Sequence, residues 1–193
     1  MRLLLVAPPG AGKGTQAARL SAHYGIAHLS SGELLRKEVA AGTTIGKVAA
    51  AYLQRGDLVP DELVIEILAL PVIEAVAHGG YVLDGYPRTL RQAEEAYEVA
   101  QQVEGIELNA VIHLAVSREE LLRRLHARAQ REGRDDDTDG TIAHRLDVFA
   151  AETEPLLGFY AQRGLILEID GEQSVDRVFV DITTAVDRGS SGP

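Results

Sequence analysis

Short apolar runs alternate along this chain with longer amphipathic stretches, and no other feature limits the possible folds as much. Residues 3–6, 28–29, 81–83, 110–116 and 165–169 read as strands, the first and third fully buried. Between them, residues 13–24 read as a helix with Ala17, Ala18 and Leu20 on its apolar side and Gly25 as its stop. Residues 32–41 and 45–55 read as two helices broken at Gly42. Asp61 is placed to cap a helix running to residue 78, with a kink or break at Pro71. Further helices are expected over 90–103, from a Ser117 cap to 131, over 141–163, and from Ser174 onward. Strands alternating with helices imply an α/β fold: a five-stranded parallel sheet, helices on both faces and right-handed crossovers. Ligands bind such sheets beyond the carboxyl ends of the strands.

The segment after the first strand is Ala7-Pro8-Pro9-Gly10-Ala11-Gly12-Lys13-Gly14-Thr15. It approximates the phosphate-loop pattern G-x-x-x-x-G-K-[ST], with Ala7 at the first glycine and Gly14 inserted between Lys13 and Thr15. Gly10 and Gly12 let the backbone curl so that several N–H groups point at one anion, and the helix that starts there adds its positive end. A glycine-rich turn that binds nothing is the plain alternative, but a lysine among glycines directly after a buried strand has no evident packing use. After the third strand comes Asp84-Gly85-Tyr86-Pro87-Arg88. Taken singly, Asp84 could cap a helix and Arg88 could form a surface ion pair. Behind a phosphate loop, an acid at this strand end is placed to hold Mg²⁺ through water.

Composition narrows the partners. With 46% hydrophobic residues the chain can bury a sizeable core, and no apolar run approaches the ~18 residues of a membrane helix. The apolar part of residues 1–7 is too short for an export signal, and there is no cysteine for a disulfide or a thiolate metal site. A cytoplasmic location is expected. Lys and Arg total 19 against 29 Asp and Glu, a net charge of −10 that argues against a nucleic-acid partner. Even so, Arg118, Arg123, Arg124, Arg128, Arg131, Arg134 and Arg145 cluster in one stretch. They read either as a solvated helix face or as a local anion site, for which the planar guanidinium fork is well suited.

Taken together these blocks resemble the adenylate kinase family over nearly the whole chain, from Arg2 to Val186. The blocks are Gly10-Ala11-Gly12-Lys13-Gly14-Thr15-Gln16, Leu29-Ser30-Ser31-Gly32-Glu33-Leu34-Leu35-Arg36, Asp84-Gly85-Tyr86-Pro87-Arg88-Thr89 with Gln92, Gly133-Arg134-Asp135-Asp136-Asp137 with Arg145-Leu146, and Thr153-Glu154-Pro155-Leu156. The resemblance implies a P-loop NTPase-type core (1–29, 60–127 and 136–188), a helical monophosphate-binding excursion (30–59), a short lid at about 128–135 and a flexible tail (189–193). It implies Mg·ATP + AMP ⇌ 2 ADP, the reaction of adenine nucleotide homeostasis, carried out by a monomer with no nucleic-acid or membrane partner.

Residue by residue, the resemblance puts Gly10, Ala11, Gly12, Lys13, Gly14 and Thr15 on the ATP phosphates. Arg128 falls at the lid position, Arg124 near the ATP base and Gln173 where backbone meets the ATP adenine. Ser31 and Arg36 hold AMP, and Asp57, Leu58 and Val59 line its adenine through backbone. Gly85 and Arg88 face the AMP phosphate, Gln92 hydrogen-bonds the adenine edge, and Arg134 and Arg145 bridge both phosphates. Lys13, Arg88, Arg128, Arg134 and Arg145 make up the catalytic set, with Asp84 and Thr15 holding Mg²⁺ through water. Ser31 stands where threonine is common and keeps the hydroxyl; Glu33 stands where aspartate is common. The five residues between Arg128 and Arg134 leave no room for a long lid, and no cysteines are present to bind zinc there. A UMP/CMP kinase of the same fold is the nearest alternative, disfavoured by Ser31 and Thr89. A non-catalytic nucleotide-binding module is the other, disfavoured because every arginine of the pattern is present.

Overall fold

The computed structural model describes residues 1–103, 105–132 and 138–190. Five parallel strands form one sheet in the order β2-β3-β1-β4-β5. They are β1 (Arg2–Val6), β2 (Ala27–Ser30), β3 (Tyr81–Asp84), β4 (Ala110–Ala115) and β5 (Ile166–Asp170). β1 lies at the centre, paired with β3 on one side and β4 on the other. The chain reverses its direction of travel across the sheet at β1, so the crevice beyond its carboxyl end is the place where a doubly wound sheet takes a ligand.

Side chains alternate along a strand, and β1 shows how this builds two cores. Leu3 and Leu5 enter the core shared with helices α1 (Lys13–Tyr24), α6 (Arg118–Glu132), α7 (Asp139–Val148) and α9 (Val175–Ser190). Leu4 and Val6 enter the opposite core, shared with α4 (Asp61–Ala77), α5 (Leu90–Gln102) and α8 (Pro155–Ala161). Leu35 of α2 (Ser31–Ala41) and Ala49 of α3 (Thr44–Arg55) join the second core. These two helices pack so closely that a Cβ on Gly46 would lie 2.1 Å from the Glu38 carbonyl oxygen.

The structure corrects four expectations about local structure. α4 runs through Pro71 without a break, because Val64 and Leu68 before it and Ala75 after it are all buried in one core. Pro60, not Asp61, is the N-cap of α4; Asp61 lies in the first turn, where its carboxylate is used elsewhere. Ala18 is exposed, and Gln16 takes its place among the buried residues of α1. The single helix expected over 141–163 is instead α7, a π-helical turn (Phe149–Thr153) and α8, which restarts at Pro155. Among the described residues no helix is long and apolar enough to cross a membrane.

Candidate active site

The turn between β1 and α1 is built on two glycines. Gly10 (φ 86°) and Gly12 (φ 96°) occupy the left-handed region that side chains with a Cβ rarely adopt. At Gly10 space is also short, since a Cβ would fall 2.8 Å from Leu125 Cγ. Lys13 opens α1 and folds its side chain back over the turn, donating from Nζ to the carbonyls of Ala7 at 2.6 Å and Pro8 at 3.1 Å. Burial pulls the ammonium down to about 8, opposed by Asp84 and reinforced by Arg88 and Arg128.

Asp84 ends β3 beside this turn. Burial works against its charge, but His28, Lys13 and Arg88 outweigh that effect and keep the carboxyl below its ordinary range. His28 Nε2 lies 4.0 Å from the carboxylate, an electrostatic contact beyond hydrogen-bond length. Gly85 (φ 86°) then turns the chain, and its carbonyl accepts from Ser31 Oγ and from Arg88 Nε, both at 2.7 Å. Arg88 is half-buried, and the desolvation of its guanidinium lowers its pKa from the ordinary value against the pull of Asp84. Its backbone N–H donates to Gln92 Oε1 at 2.6 Å, and its carbonyl accepts from Thr153 Oγ1 at 2.8 Å. Gln92 Nε2 donates to Asp61. Thr89 caps α5 through the Gln92 N–H at 3.3 Å.

These residues surround a cleft of about 810 Å³ at the carboxyl edge of the sheet. Gly10, Ala11, Gly12, Lys13, Gly14, Thr15, Arg36, Asp57, Leu58, Asp84, Gly85, Arg88, Arg124, Arg128, Arg145 and Gln173 all line it. Ser31, Val59 and Gln92 line a smaller adjoining cavity that shares Gly85, Arg88, Leu53 and Leu58 with the large one. The sites picked from the sequence are therefore brought together, except Arg134, which lies outside the described residues. Of the proposed lid, 128–135, residues 133–135 lie outside them as well, and 128–132 continue α6.

Several of these side chains are already held. Arg145 Nη2 donates to the Leu53 carbonyl at 3.1 Å, tying α7 to the end of α3, and Gly56 (φ 78°) leaves only 2.9 Å between a built Cβ and Arg145 Cγ. His144 Nε2 contacts Asp57 Oδ1 at 2.8 Å, and Arg55 Nε donates to the other Asp57 oxygen at 2.7 Å. Arg124 Nε donates to Glu120 Oε1 at 2.6 Å. Gln173 Nε2 donates to Asp181 Oδ2 at 3.0 Å.

Three residues of this site carry no site role in the sequence alone, although Asp61 stands there as a helix cap and Thr153 in a block of the resemblance. Glu120 stands four positions before Arg124, a spacing that puts both on one helix face and was available as a signal. Asp61 and Thr153 reach Gln92 and Arg88 across 31 and 65 residues, and no local pattern announces such contacts. Among the described residues no group of three or more His, Cys, Asp or Glu could hold a metal ion. Asp84 and Thr15 beside an anion cradle fit instead a hard divalent ion that keeps most of its water and takes its remaining ligands from phosphates.

The chain is similar to known proteins over nearly its whole length. A family model described as adenylate kinase matches residues 5–165. An adenylate kinase of Xanthomonas campestris pv. campestris (strain B100) is 44% identical over 188 residues, covering 97% of this chain and 100% of that protein. One from Thermobifida fusca (strain YX) is 44% identical over 186 residues, covering 96% and 98%. One from Kocuria rhizophila is 41% identical over 187 residues, covering 97% and 99%.

Proposed function

The chain belongs to the adenylate kinase family, and we propose that its cleft carries out Mg-dependent phosphoryl transfer from ATP to AMP, giving two ADP. The observation that carries this reading is the convergence of Lys13, Arg36, Arg88, Arg128 and Arg145 on one cleft beside the carboxylate of Asp84. Phosphoryl transfer needs little covalent help from a protein. It needs two phosphates held in line and cations placed where charge spreads over the transferred group.

The turn from Gly10 to Thr15 cradles the ATP phosphates, with Arg124 and Arg128 on the ATP side and Gln173 at its base. Ser31, Arg36, Gly85 and Arg88 hold AMP, and Asp57, Leu58, Val59 and Gln92 surround its adenine. Arg145 and Arg134 bridge the two phosphates. An oxygen of the AMP phosphate forms the new bond to the γ-phosphorus as the bridging bond to ADP breaks. Lys13 neutralises the charge that develops on the transferred group. Asp84 and Thr15 would hold Mg²⁺ through water, and the bound ion supplies further charge neutralisation at the phosphate oxygens. The same reading takes the enzyme as cytoplasmic and monomeric; the net charge of −10 disfavours a polyanionic partner.

A coupled assay of the purified protein with ATP against AMP, UMP and CMP tests the assignment. AMP should be the preferred acceptor. Comparable kcat/KM for UMP or CMP would move the chain to the pyrimidine branch, and no turnover with any acceptor would leave only a nucleotide-binding module.

A further inference from the structure

We propose that Asp61 is a positioning residue that sets acceptor-base specificity: its carboxylate locks the Gln92 amide in the orientation that pairs with an adenine edge. The inference rests on the reading of Gln92 as the residue that meets the acceptor base.

Gln92 is 2% exposed, and both ends of its amide are engaged. Oε1 accepts from the Arg88 N–H at 2.6 Å, and Nε2 donates to Asp61 Oδ1. A carboxamide has two acceptor lone pairs and two N–H donors. One of each is taken by the protein, which leaves one acceptor and one donor for a ligand in the cavity that Gln92 lines. An adenine edge offers a donor at its 6-amino group and an acceptor at N1. Hypoxanthine and guanine offer the reverse, an acceptor at O6 and a donor at N1. A glutamine free to turn its amide over can serve either base.

This amide is not free to turn. Reversed, it would set Oε1 against the Asp61 carboxylate and the NH₂ group against the Arg88 N–H, two like-against-like contacts in a buried place. Asp61 can enforce the choice because a carboxylate only accepts. Its second oxygen is held by Arg91, and its position in the first turn of α4 keeps its side chain only 18% exposed. Asp61 lines neither cavity, so it acts on the base through Gln92 and not by contact. A site whose buried polar groups are fixed in this way rejects a mismatched base strongly, since acceptance would leave those groups unpaired.

The test is the ratio of kcat/KM for AMP to that for inosine monophosphate in wild type, Asp61→Asn and Asp61→Ser. Asparagine and serine can both donate and accept, so each removes the Asp61 part of the lock and leaves only the Arg88 N–H opposing a reversed Gln92. The wild-type preference for AMP should narrow by at least about tenfold in both variants. Calorimetric titration with AMP and with inosine monophosphate alone should show the same narrowing in binding. A merely structural Asp61 would lower both acceptors together and leave the ratio unmoved. Folded variants with an unmoved ratio, in an enzyme that phosphorylates AMP, overturn the role of Asp61 alone. A wild-type protein that does not phosphorylate AMP removes the functional reading, and this inference with it.

Discussion

Ser31 and Arg88 share one acceptor: the Gly85 carbonyl takes a hydrogen bond from Ser31 Oγ and another from Arg88 Nε, both at 2.7 Å. Removing the serine hydroxyl therefore leaves that carbonyl paired. Ser31→Ala should cost little stability and should act on AMP. Losing one neutral hydrogen bond, about 0.5–1.5 kcal/mol, raises the AMP KM roughly 2- to 13-fold with kcat nearly intact. Steady-state kinetics with varied AMP decide it; an unchanged KM would take Ser31 out of the AMP site.

Gly85→Ala should be far more damaging than its single methyl group suggests. The new Cβ would lie 2.5 Å from Ser31 Oγ and 3.1 Å from Arg88 Nη2, on a residue with φ of 86°. Strained backbone of this kind costs on the order of 1–3 kcal/mol, and the same clash displaces two AMP-side groups. We expect a lower melting temperature together with an AMP KM raised more than in Ser31→Ala. A variant with wild-type values of both would contradict the geometry of this turn.

Lys13 has two separable signatures. If its ammonium bonds most strongly in the transition state, Lys13→Met lowers kcat by at least about 10²-fold while substrate affinity changes much less, provided circular dichroism shows the variant folded. Near-normal kcat with only a weaker ATP KM would make it a uniform binding contact. The second signature is in pH. A lysine pulled down to about 8 loses its charge as pH rises through that value, so kcat/KM for ATP should fall above about pH 8. Bound phosphate favours the protonated form, so kcat should hold to higher pH. A kcat/KM that stays flat up to pH 10 would show that Lys13 keeps its proton in the free enzyme.

Metal removal should separate chemistry from stability. The chain contains no cysteine, and among the described residues no cluster of three His, Cys, Asp or Glu could act as a structural metal cage. A chelator should therefore abolish turnover by withdrawing Mg²⁺ while the melting temperature of the nucleotide-free protein stays the same. Stoichiometric zinc by elemental analysis would refute the short, zinc-free lid.

How far the sequence could be read depended on how local each cause is. The strands and the turn carrying Lys13 are written in short runs of neighbouring residues, and the five-stranded parallel sheet follows from them. Of the kink or break expected at Pro71, the break does not occur: the helix continues through it, with Leu68 and Ala75 buried on either side. Ala18 misled because α1 turns Gln16 inward, where its Nε2 donates to the Val175 carbonyl at 3.0 Å. The pairing of Asp61 with Gln92 was illegible because it is made only when α4 and α5 are both in place.

The π-helical turn at Phe149–Thr153 was equally invisible in composition, and it sets the phase of everything after it. Arg145 and Leu156 are eleven residues apart, so in an unbroken α-helix they would point within about 20° of each other. The wide turn offsets the continuation by about one residue, roughly 100°. Arg145 can then line the cleft while Leu156 is buried in the core on the far face of the sheet. Ile142 and Leu146 anchor the same arm in the other core, and Tyr160 is buried beside Leu156. One length of chain thus straps the two faces of the sheet together, and its count of residues is fixed to the unit: one fewer at Ala150 or Ala151 would bring the buried anchors and Arg145 into conflict over which side of the helix each may use.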